Sequence, residues 1–177
     1  GSGGVMLPNH SPYVVAEQYG TLETLYPNRV ELGLGRAPGT DMQTAAALRR
    51  GRNSLDFPAE ITELRGYFKD CNPVSAYPSA GLNIPFYILG SSTESAYLAA
   101  ELGLPYAFAS HFAPRMMEMA VEIYRKNFKP STYLAEPYVI LGVNAIVAET
   151  DKEARQLATT QTLFFLNVVT NAQQNLQ

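Results

Sequence analysis

The 177-residue sequence contains one cysteine, Cys71, and only two histidines, His10 and His111. A single cysteine excludes an internal disulfide and a cysteine-based metal cluster. The histidines are far apart in the sequence, and neither has an acidic residue at ligand spacing beside it. No metal site is therefore expected, and Cys71 is interpreted as an inert loop or surface thiol.

Charged residues make up only 16% of the chain, and the net charge is −3. The sequence therefore has no broad basic field that would attract nucleic acid or anionic lipid. No apolar run approaches the roughly 18–20 residues that a membrane span needs, and no signal peptide is recognisable. Because 46% of the residues are hydrophobic, we expect one soluble, cytoplasmic domain over residues 1–177 that binds neither nucleic acid nor membrane.

Strand-like and helix-like segments alternate along the chain. Asp41 is a good N-cap for the second helix, Gly103 is placed to end the fourth, and Thr150 or Asp151 is placed to begin the last. Strands are predicted at 5–7, 29–35, 86–89, 106–110 and 138–147, and helices at 12–25, 41–50, 56–67, 96–102, 113–128 and from 151 onward. The fifth helix is expected to bury Met116, Met119, Ala120 and Ile123.

Five strands that are apolar on both faces and are each followed by a helix predict a parallel sheet covered by helices. Right-handed crossovers leave two architectures, an open doubly wound sheet and a closed barrel. The segment pattern favours neither strongly. In both architectures ligands bind at the carboxyl ends of the strands, so the candidate site residues are sought there.

A glycine and hydroxyl cluster at residues 90–95 lies between the third strand and its helix. The first-turn amides of a helix lack intrahelical partners, and the helix dipole favours negative charge there. With Ser91, Ser92 and Ser95 as further donors, this turn is suited to a phosphate group. The alternative is that one serine caps the helix and the others fill a turn. The cluster is neither a Walker loop nor a dinucleotide-binding fingerprint.

Arg36 follows the strand that carries Gly33 and Gly35. Its guanidinium could contact a phosphate through two hydrogen bonds, and glycines inside a strand suggest that a ligand or another backbone comes close. The alternative is an ordinary salt bridge at the sheet rim. One phosphate held by both Arg36 and the serine cluster is a sharper hypothesis than either site alone.

Asn9, His10 and His111 also follow strand ends, where contact with a substrate or cofactor is possible, although loop histidines are more often solvated. No Ser-His-Asp order and no nucleophile elbow is present. The sequence therefore offers no nucleophile and no metal cage, and the difficult chemistry would have to come from a bound cofactor. A catalytic residue is not assigned.

Several stretches resemble the flavin-dependent luciferase-like monooxygenases, and they follow the family's order along nearly the whole chain. The Gly-Arg-Ala-Pro-Gly stretch at 35–39 and the hydroxyl cluster resemble most closely the alkanal-monooxygenase-like branch. The matching stretches are residues 1–12, 16–18, 28–39, 88–92 and 99–109.

This resemblance implies a TIM (β/α)8 barrel, of which the chain would supply the third to seventh βα units. It implies that Arg36, Ser92, Ser95 and the amide of Ser91 hold the phosphate of FMN. Gly3 and Gly4 fall where the family often has a bulge or a non-proline cis peptide beside the flavin ring, a place that suits glycine. Ser110 would border the ring, and Asn9, His10 and His111 would lie near the substrate pocket.

The implied reaction uses reduced FMN, supplied by a separate reductase, and O2 to oxidise a small aldehyde-like substrate. A homodimer is expected. Three alternatives remain: a deazaflavin-dependent reductase of the same barrel, a non-catalytic flavin-binding protein, and a structural fragment that binds no nucleotide and whose serine cluster is only a helix cap. Because a full barrel takes about 250 residues, the domain is expected to be incomplete at both ends, and the family's catalytic base would lie outside it.

Overall fold

The computed structural model of the chain describes residues 1–49 and 56–170. The chain divides into two compact units, Gly1–Gly142 and Val143–Gln177. The first unit contains a parallel sheet and its helices. The second unit, where it is described, contains one long helix, whose Leu163 and Phe164 side chains are exposed.

The first unit alternates strands and helices as the sequence pattern predicted. Its strands are β1 (Val5–Met6), β2 (Leu32–Gly35), β3 (Phe86–Gly90), β4 (Tyr106–Phe108) and β5 (Val139–Leu141). Its helices are α1 (Pro12–Leu25), α2 (Met42–Arg49), α3 (Phe57–Phe68), α4 (Thr93–Leu102) and α5 (Met117–Asn127), with short 3-10 turns at Leu7–Asn9 and Pro114–Met116. The second unit contributes α6 (Asp151–Thr170).

The five strands form one parallel sheet in the order β1-β2-β3-β4-β5. Leu34 pairs with Val5 on one side and with Ile88 on the other, and Ile88 in turn pairs with Tyr106. Each strand therefore neighbours the next strand in the sequence. A doubly wound sheet reverses its strand order at a switch point, and these five strands contain no reversal, so the order is that of a (β/α) barrel.

One face of the sheet packs against the helices and forms the hydrophobic core. Along β3, Phe86 and Ile88 are buried whereas Tyr87 and Leu89 are only half-buried. This alternation follows from the period of two in a strand. Small residues on α4 let that helix approach the sheet closely. The same core includes Leu32, Leu34, Ile61, Leu64, Ala96, Ala99, Ala100, Tyr106, Phe108, Ala120 and Tyr124.

Local capping residues set most of the helix ends where they were predicted. The Asp41 carboxylate accepts hydrogen bonds from the amides of Gln43 and Thr44, and the Thr150 hydroxyl accepts one from the amide of Glu153. Gly103 ends α4 in the left-handed region at φ 59°, which glycine adopts without a steric penalty. The predicted last residue of the second helix, Arg50, lies outside the described residues.

Two helix predictions were wrong in detail. Helix α4 begins at Thr93, not Ala96, because Ser92 already has extended N-cap geometry. Of the four residues predicted to be buried, Ala120 is buried and Ile123 is partly buried against the core. Met119 on α5 and Met116 in the 3-10 turn before it are exposed, and Tyr124 is buried instead. Methionine is apolar, so it counts toward a periodic apolar pattern even where its side chain is exposed. The pattern therefore placed the buried face of this helix about one position too early.

The fifth strand is shorter than the predicted 138–147. It comprises Val139–Leu141, which pair with Tyr106–Phe108 of β4. Because β4 itself ends at Phe108, residues 142–147 are not part of the ladder, and Val143 and Val147 are exposed. None of the described helices combines the length and the apolar character that crossing a membrane requires.

Candidate functional site

Glycines line the junction of β1 and β2 on the sheet face that also carries Leu89. The amide of Ser2 donates to the carbonyl of Glu31, and Val5 pairs with Leu34. Gly3 and Gly4 together therefore lie opposite the single residue Gly33, which is a β-bulge. The Gly3–Gly4 peptide bond is cis. We call this surface, made of Gly3, Gly4, Gly33 and Gly35, the glycine face.

The Ser2 side chain completes the hydrogen bonding that the bulge interrupts. Its hydroxyl donates to the carbonyl of Gly33 and accepts from the amide of the same residue, both at 3.0 Å. A serine hydroxyl has one proton and two acceptor lone pairs, so it can make both bonds at once. Neither backbone group of Gly33 is left unpaired.

The four glycines have different reasons to lack a side chain. A Cβ on Gly4 would lie 2.7 Å from the Gly33 carbonyl oxygen, and a Cβ on Gly33 would collide with the Ser2 backbone and lie 2.7 Å from Leu89. A Cβ on Gly3 or Gly35 would meet nothing within 4 Å. The absence of side chains at Gly4 and Gly33 therefore lets two backbones come close, whereas Gly3 and Gly35 face open space.

Arg36 follows the carboxyl end of β2, and residues 90–92, which we call the hydroxyl turn, follow the carboxyl end of the neighbouring strand β3. Leu34 pairs with Ile88, so the same register two residues further places Arg36 beside Gly90. The positive charge of Arg36 also lowers the pKa of Glu94, which lies in the first turn of α4. We call this region, made of Arg36, Ser91, Ser92 and the first turn of α4, the anion corner.

The pKa of Glu94 shows that the anion corner stabilises a negative charge. A hydrogen bond from the Ser92 hydroxyl lowers the pKa of Glu94 most, followed by a bond from its own amide and by the charge of Arg36. Burial opposes these effects. The Ser92 hydroxyl, an amide of the first turn and the charge of Arg36 thus stabilise the Glu94 carboxylate. Glu94 is the one acidic residue of the anion corner, and the donors and positive charge around it fit a phosphate group.

Ser95, the third predicted serine, is engaged inside the protein. Its hydroxyl donates to the Ser92 carbonyl at 2.7 Å and lies 3.0 Å from the Tyr106 hydroxyl. The Tyr106 hydroxyl is also 3.1 Å from the Ser92 carbonyl. A Cβ on Gly90 would collide with the Ser95 side chain. The absence of a side chain at Gly90 therefore gives Ser95 the room to fold back toward Tyr106.

Asn9 and His10, predicted near the substrate, follow β1. The Asn9 amide nitrogen donates to the carbonyl of Pro38 at 2.8 Å, and its oxygen accepts from Nε of Arg49 at 3.1 Å. Asn9 thus ties together the segments that follow β1 and β2. His10 is exposed, with its amide bonded to the carbonyl of Leu7.

Ser110 and His111 lie where the chain leaves β4. The Ser110 hydroxyl donates to the Gly142 carbonyl at 2.7 Å, which joins the carboxyl ends of β4 and β5. The His111 ring is exposed, packs edge-on against Phe112 and lies directly beside Gly142. Both residues are therefore at the carboxyl-end rim of the sheet, as the anion corner is, and they are two strands away from Arg36.

Three surface grooves lie away from these residues. Grooves of about 660, 730 and 320 Å3 follow α5, the outer side of α3, and the amino end of β3. Their lining residues, within the described part of the chain, include none of the predicted site residues. In residues 1–49 and 56–170, no three His, Cys, Asp or Glu side chains are grouped closely enough to hold a metal ion.

Sequence reasoning missed three residues that shape the site, namely Ser2, Glu94 and Tyr106. Ser2 and Tyr106 contact partners 31 and 11–14 residues away, and such side-chain contacts have no sequence signature. Glu94 had a usable signal, since an acidic residue in the first turn of a helix interacts with its amino end.

Comparison with known proteins gives the chain a family. The family model described as luciferase-like monooxygenase matches residues 1–177. A protein of Escherichia coli (strain K12) named luciferase-like monooxygenase is 53% identical over 173 residues, which are 95% of this chain and 52% of that protein. The chain therefore spans about half the length of this relative.

Solved structures support the same fold. Apo-MsnO8 superimposes with a TM-score of 0.87 at 38% identity, over 96% of this chain and 51% of that one. The oxygenating constituent of 3,6-diketocamphane monooxygenase of Pseudomonas putida, solved in complex with FMN, gives a TM-score of 0.62 at 17% identity, over 89% of this chain and 51% of that one. Together with the strand order, these matches confirm the predicted TIM-barrel fold, of which this chain forms a part.

Proposed function

Because the chain belongs to the luciferase-like monooxygenase family, we propose that it forms the FMN-binding part of a flavin-dependent monooxygenase. The substrate class we propose is a small aldehyde-like compound, oxidised with reduced FMN and O2. A separate reductase would supply the reduced FMN, and the working protein would be a cytoplasmic homodimer. Residues outside this chain would complete the barrel, since the matched relative is about twice as long.

The observation that carries this proposal is the anion corner next to the open part of the glycine face. The charge of Arg36, the hydroxyl of Ser92 and the amide of Glu94 already stabilise one negative charge, that of the Glu94 carboxylate. A phosphate in the same place would receive charge-assisted hydrogen bonds from Arg36, Ser91, Ser92 and Ser95. Arg36 and these serines act as anchors and do not transfer protons.

The glycine face supplies the surface for a flat ring. The open space above Gly3 and Gly35 allows a planar group to approach the backbone. Leu89 lies against the Cβ positions of Gly4 and Gly33 and adds an apolar side chain to the same face of the sheet. FMN bound here supplies the activation of O2, and the protein residues orient it and keep water away from it. Ser110 would border the ring, and Asn9, His10 and His111 would lie on the substrate side.

Flavin titration of the full-length protein tests the binding site. We expect the fluorescence of FMN to change when it binds the protein. Arg36→Ala and Ser92→Ala should each weaken binding by about 1–3 kcal/mol. Riboflavin, which lacks the phosphate, should be insensitive to both changes. Arg125→Ala is the matched control because Arg125 lies at the last turn of α5, away from the corner. Equal binding of FMN by all three variants would contradict the phosphate site.

The same preparation separates the competing functions. A monooxygenase consumes O2 faster when an aldehyde is added together with reduced FMN, whereas a non-catalytic flavin-binding protein retains FMN without substrate-dependent consumption. A deazaflavin-dependent enzyme shares the phosphate anchors, so it would bind the deazaflavin cofactor more tightly than FMN. Tighter deazaflavin binding would therefore overturn the FMN assignment and leave the anion corner intact.

A further inference from the structure

The buried hydroxyl of Tyr106 lies directly beneath the anion corner. The Tyr106 side chain is fully buried, and its ring packs against those of Phe108 and Tyr124 at centroid distances of 6.0 and 5.4 Å. The ring is therefore held in place by the core, and the hydroxyl has a fixed position. Burial raises the pKa of Tyr106, so the hydroxyl keeps its proton at neutral pH and is available as a donor.

Two acceptors lie within reach of this one donor. The Tyr106 hydroxyl is 3.0 Å from the Ser95 hydroxyl oxygen and 3.1 Å from the Ser92 carbonyl oxygen. The Ser95 hydroxyl has one proton, and it points that proton at the Ser92 carbonyl, 2.7 Å away. While it does so, Ser95 has no proton to donate to a ligand.

We propose that Tyr106 is a positioning residue that releases Ser95 for the phosphate of the ligand. When Ser95 turns its proton toward the phosphate, the Tyr106 hydroxyl donates to the Ser92 carbonyl in its place. The carbonyl that ends the hydroxyl turn thus remains hydrogen-bonded with and without ligand, and no buried acceptor loses its partner. This inference rests on the proposed phosphate site, and it adds a residue that never touches the ligand.

Tyr124 provides a matched control for removing a buried tyrosine hydroxyl. Its ring belongs to the same aromatic group, and its hydroxyl donates to the carbonyl of Leu104 at 3.0 Å and accepts from the amide of Tyr138 at 3.1 Å. Tyr124→Phe and Tyr106→Phe therefore remove the same atom from the same core. Only the second change removes a contact to the hydroxyl turn.

The test is a double-mutant cycle in the full-length protein, read as the ratio of the riboflavin Kd to the FMN Kd. Tyr106→Phe should lower this ratio roughly 3- to 10-fold, the effect of losing one hydrogen bond, with riboflavin binding unchanged. Tyr124→Phe should leave the ratio unaltered. In a Ser95→Ala background, Tyr106→Phe should have no further effect, because no Ser95 hydroxyl remains to be released.

The outcomes separate this inference from the proposed function. If the wild-type protein binds FMN and riboflavin equally, the phosphate site itself is wrong. If the wild-type protein prefers FMN and Tyr106→Phe keeps the full preference, or acts additively with Ser95→Ala, the role of Tyr106 is overturned.

If Tyr106→Phe does not fold, a labelled protein that keeps the Tyr106 hydroxyl provides the test instead. With 3-fluorotyrosine at position 106, the 19F resonance should shift when FMN is added and stay in place when riboflavin is added. An unmoved resonance at saturating FMN would also overturn the role of Tyr106.

Discussion

The hydroxyl of Ser2 hydrogen-bonds both the amide and the carbonyl of Gly33, each at 3.0 Å. One side chain therefore replaces the backbone partner that the bulge at Gly3 and Gly4 removes from β2. Since the bulge forms half of the glycine face, Ser2 connects the stability of the sheet to the surface proposed for the flavin ring.

Replacing Ser2 by alanine should destabilise the full-length protein by about 1–3 kcal/mol, because both backbone groups of Gly33 lose their partner. Urea denaturation measures this change. Thr21→Ala is the control, since the Thr21 hydroxyl also donates to a backbone carbonyl, that of Glu17, but on an exposed helix surface. If both variants lose the same stability, the Ser2 bonds have no special importance.

Alanine at Gly33 should lower the stability of the protein, whereas alanine at Gly35 should weaken FMN binding. Gly33→Ala places a methyl group against the Ser2 backbone and Leu89, so we expect a loss of about 1–3 kcal/mol in unfolding free energy. Gly35→Ala meets nothing within 4 Å and should keep the stability within about 1 kcal/mol, yet weaken FMN binding by filling the space above the sheet. Thermal melts and flavin titrations of both variants provide the comparison, and unchanged FMN binding by Gly35→Ala would count against the ring position.

The pKa of Glu94 reports the positive charge of Arg36. Because Arg36 contributes to lowering it, Arg36→Ala should raise the Glu94 pKa toward its ordinary value, and Ser92→Ala should raise it further, since the Ser92 hydroxyl has the larger effect. An NMR titration of the labelled Glu94 carboxyl carbon measures both shifts. An unaltered pKa in Arg36→Ala, with Arg125→Ala as reference, would place Arg36 too far away to share a ligand with α4.

Glu94 should also compete with a bound phosphate. Its lowered pKa keeps the carboxylate ionised at neutral pH, where it uses the Ser92 hydroxyl and repels a second negative charge. Glu94→Gln removes the charge and should strengthen FMN binding roughly twofold to fivefold, as expected for one exposed charge. Riboflavin binding serves as the internal control. Weaker FMN binding by Glu94→Gln would show that the carboxylate helps to build the corner.

Asp41 should make the stability of α2 depend on acid pH. Hydrogen bonds from the Thr44 hydroxyl and from the amides of Thr44 and Gln43 lower the pKa of Asp41 from 3.8 to about 2. The stabilisation is therefore complete above pH 3.8 and is lost as the pH falls toward 2. Asp41→Ala should melt at a lower temperature than wild type at pH 7, and most of this difference should be lost by pH 2. A difference at pH 2 as large as that at pH 7 would show that the charge is not the cause.

The sequence predicted those features of the fold that depend on neighbouring residues. The caps at Asp41, Gly103 and Thr150 each act on groups no more than four residues away, so a local pattern suffices to find them. The start of α4 was misplaced because Thr93 and Ser95 are as common in a turn as in a first helical turn. The exposure of Met119 and the burial of Tyr124 depend on what packs against α5, which no local pattern contains.

The candidate site was predictable only in part, for a similar physical reason. The carboxyl ends of parallel strands lie at one edge, so Arg36 and the hydroxyl turn could be placed together from their positions alone. The direction in which each hydroxyl points could not be predicted. The Ser95 hydroxyl donates to the Ser92 carbonyl and lies beside the buried Tyr106 hydroxyl, and these groups come close only after folding. Their roles toward a phosphate stay predictions.

The strand order has a consequence for how the protein is made. Because β1 to β5 pair strictly in sequence order, each strand leaves the ribosome after the partner to which it will pair. Each pairing then closes only the chain between two consecutive strands, which costs less entropy than pairing strands that are distant in the sequence. No strand has to insert between two that are already paired, so the sheet can grow by adding strands at one edge.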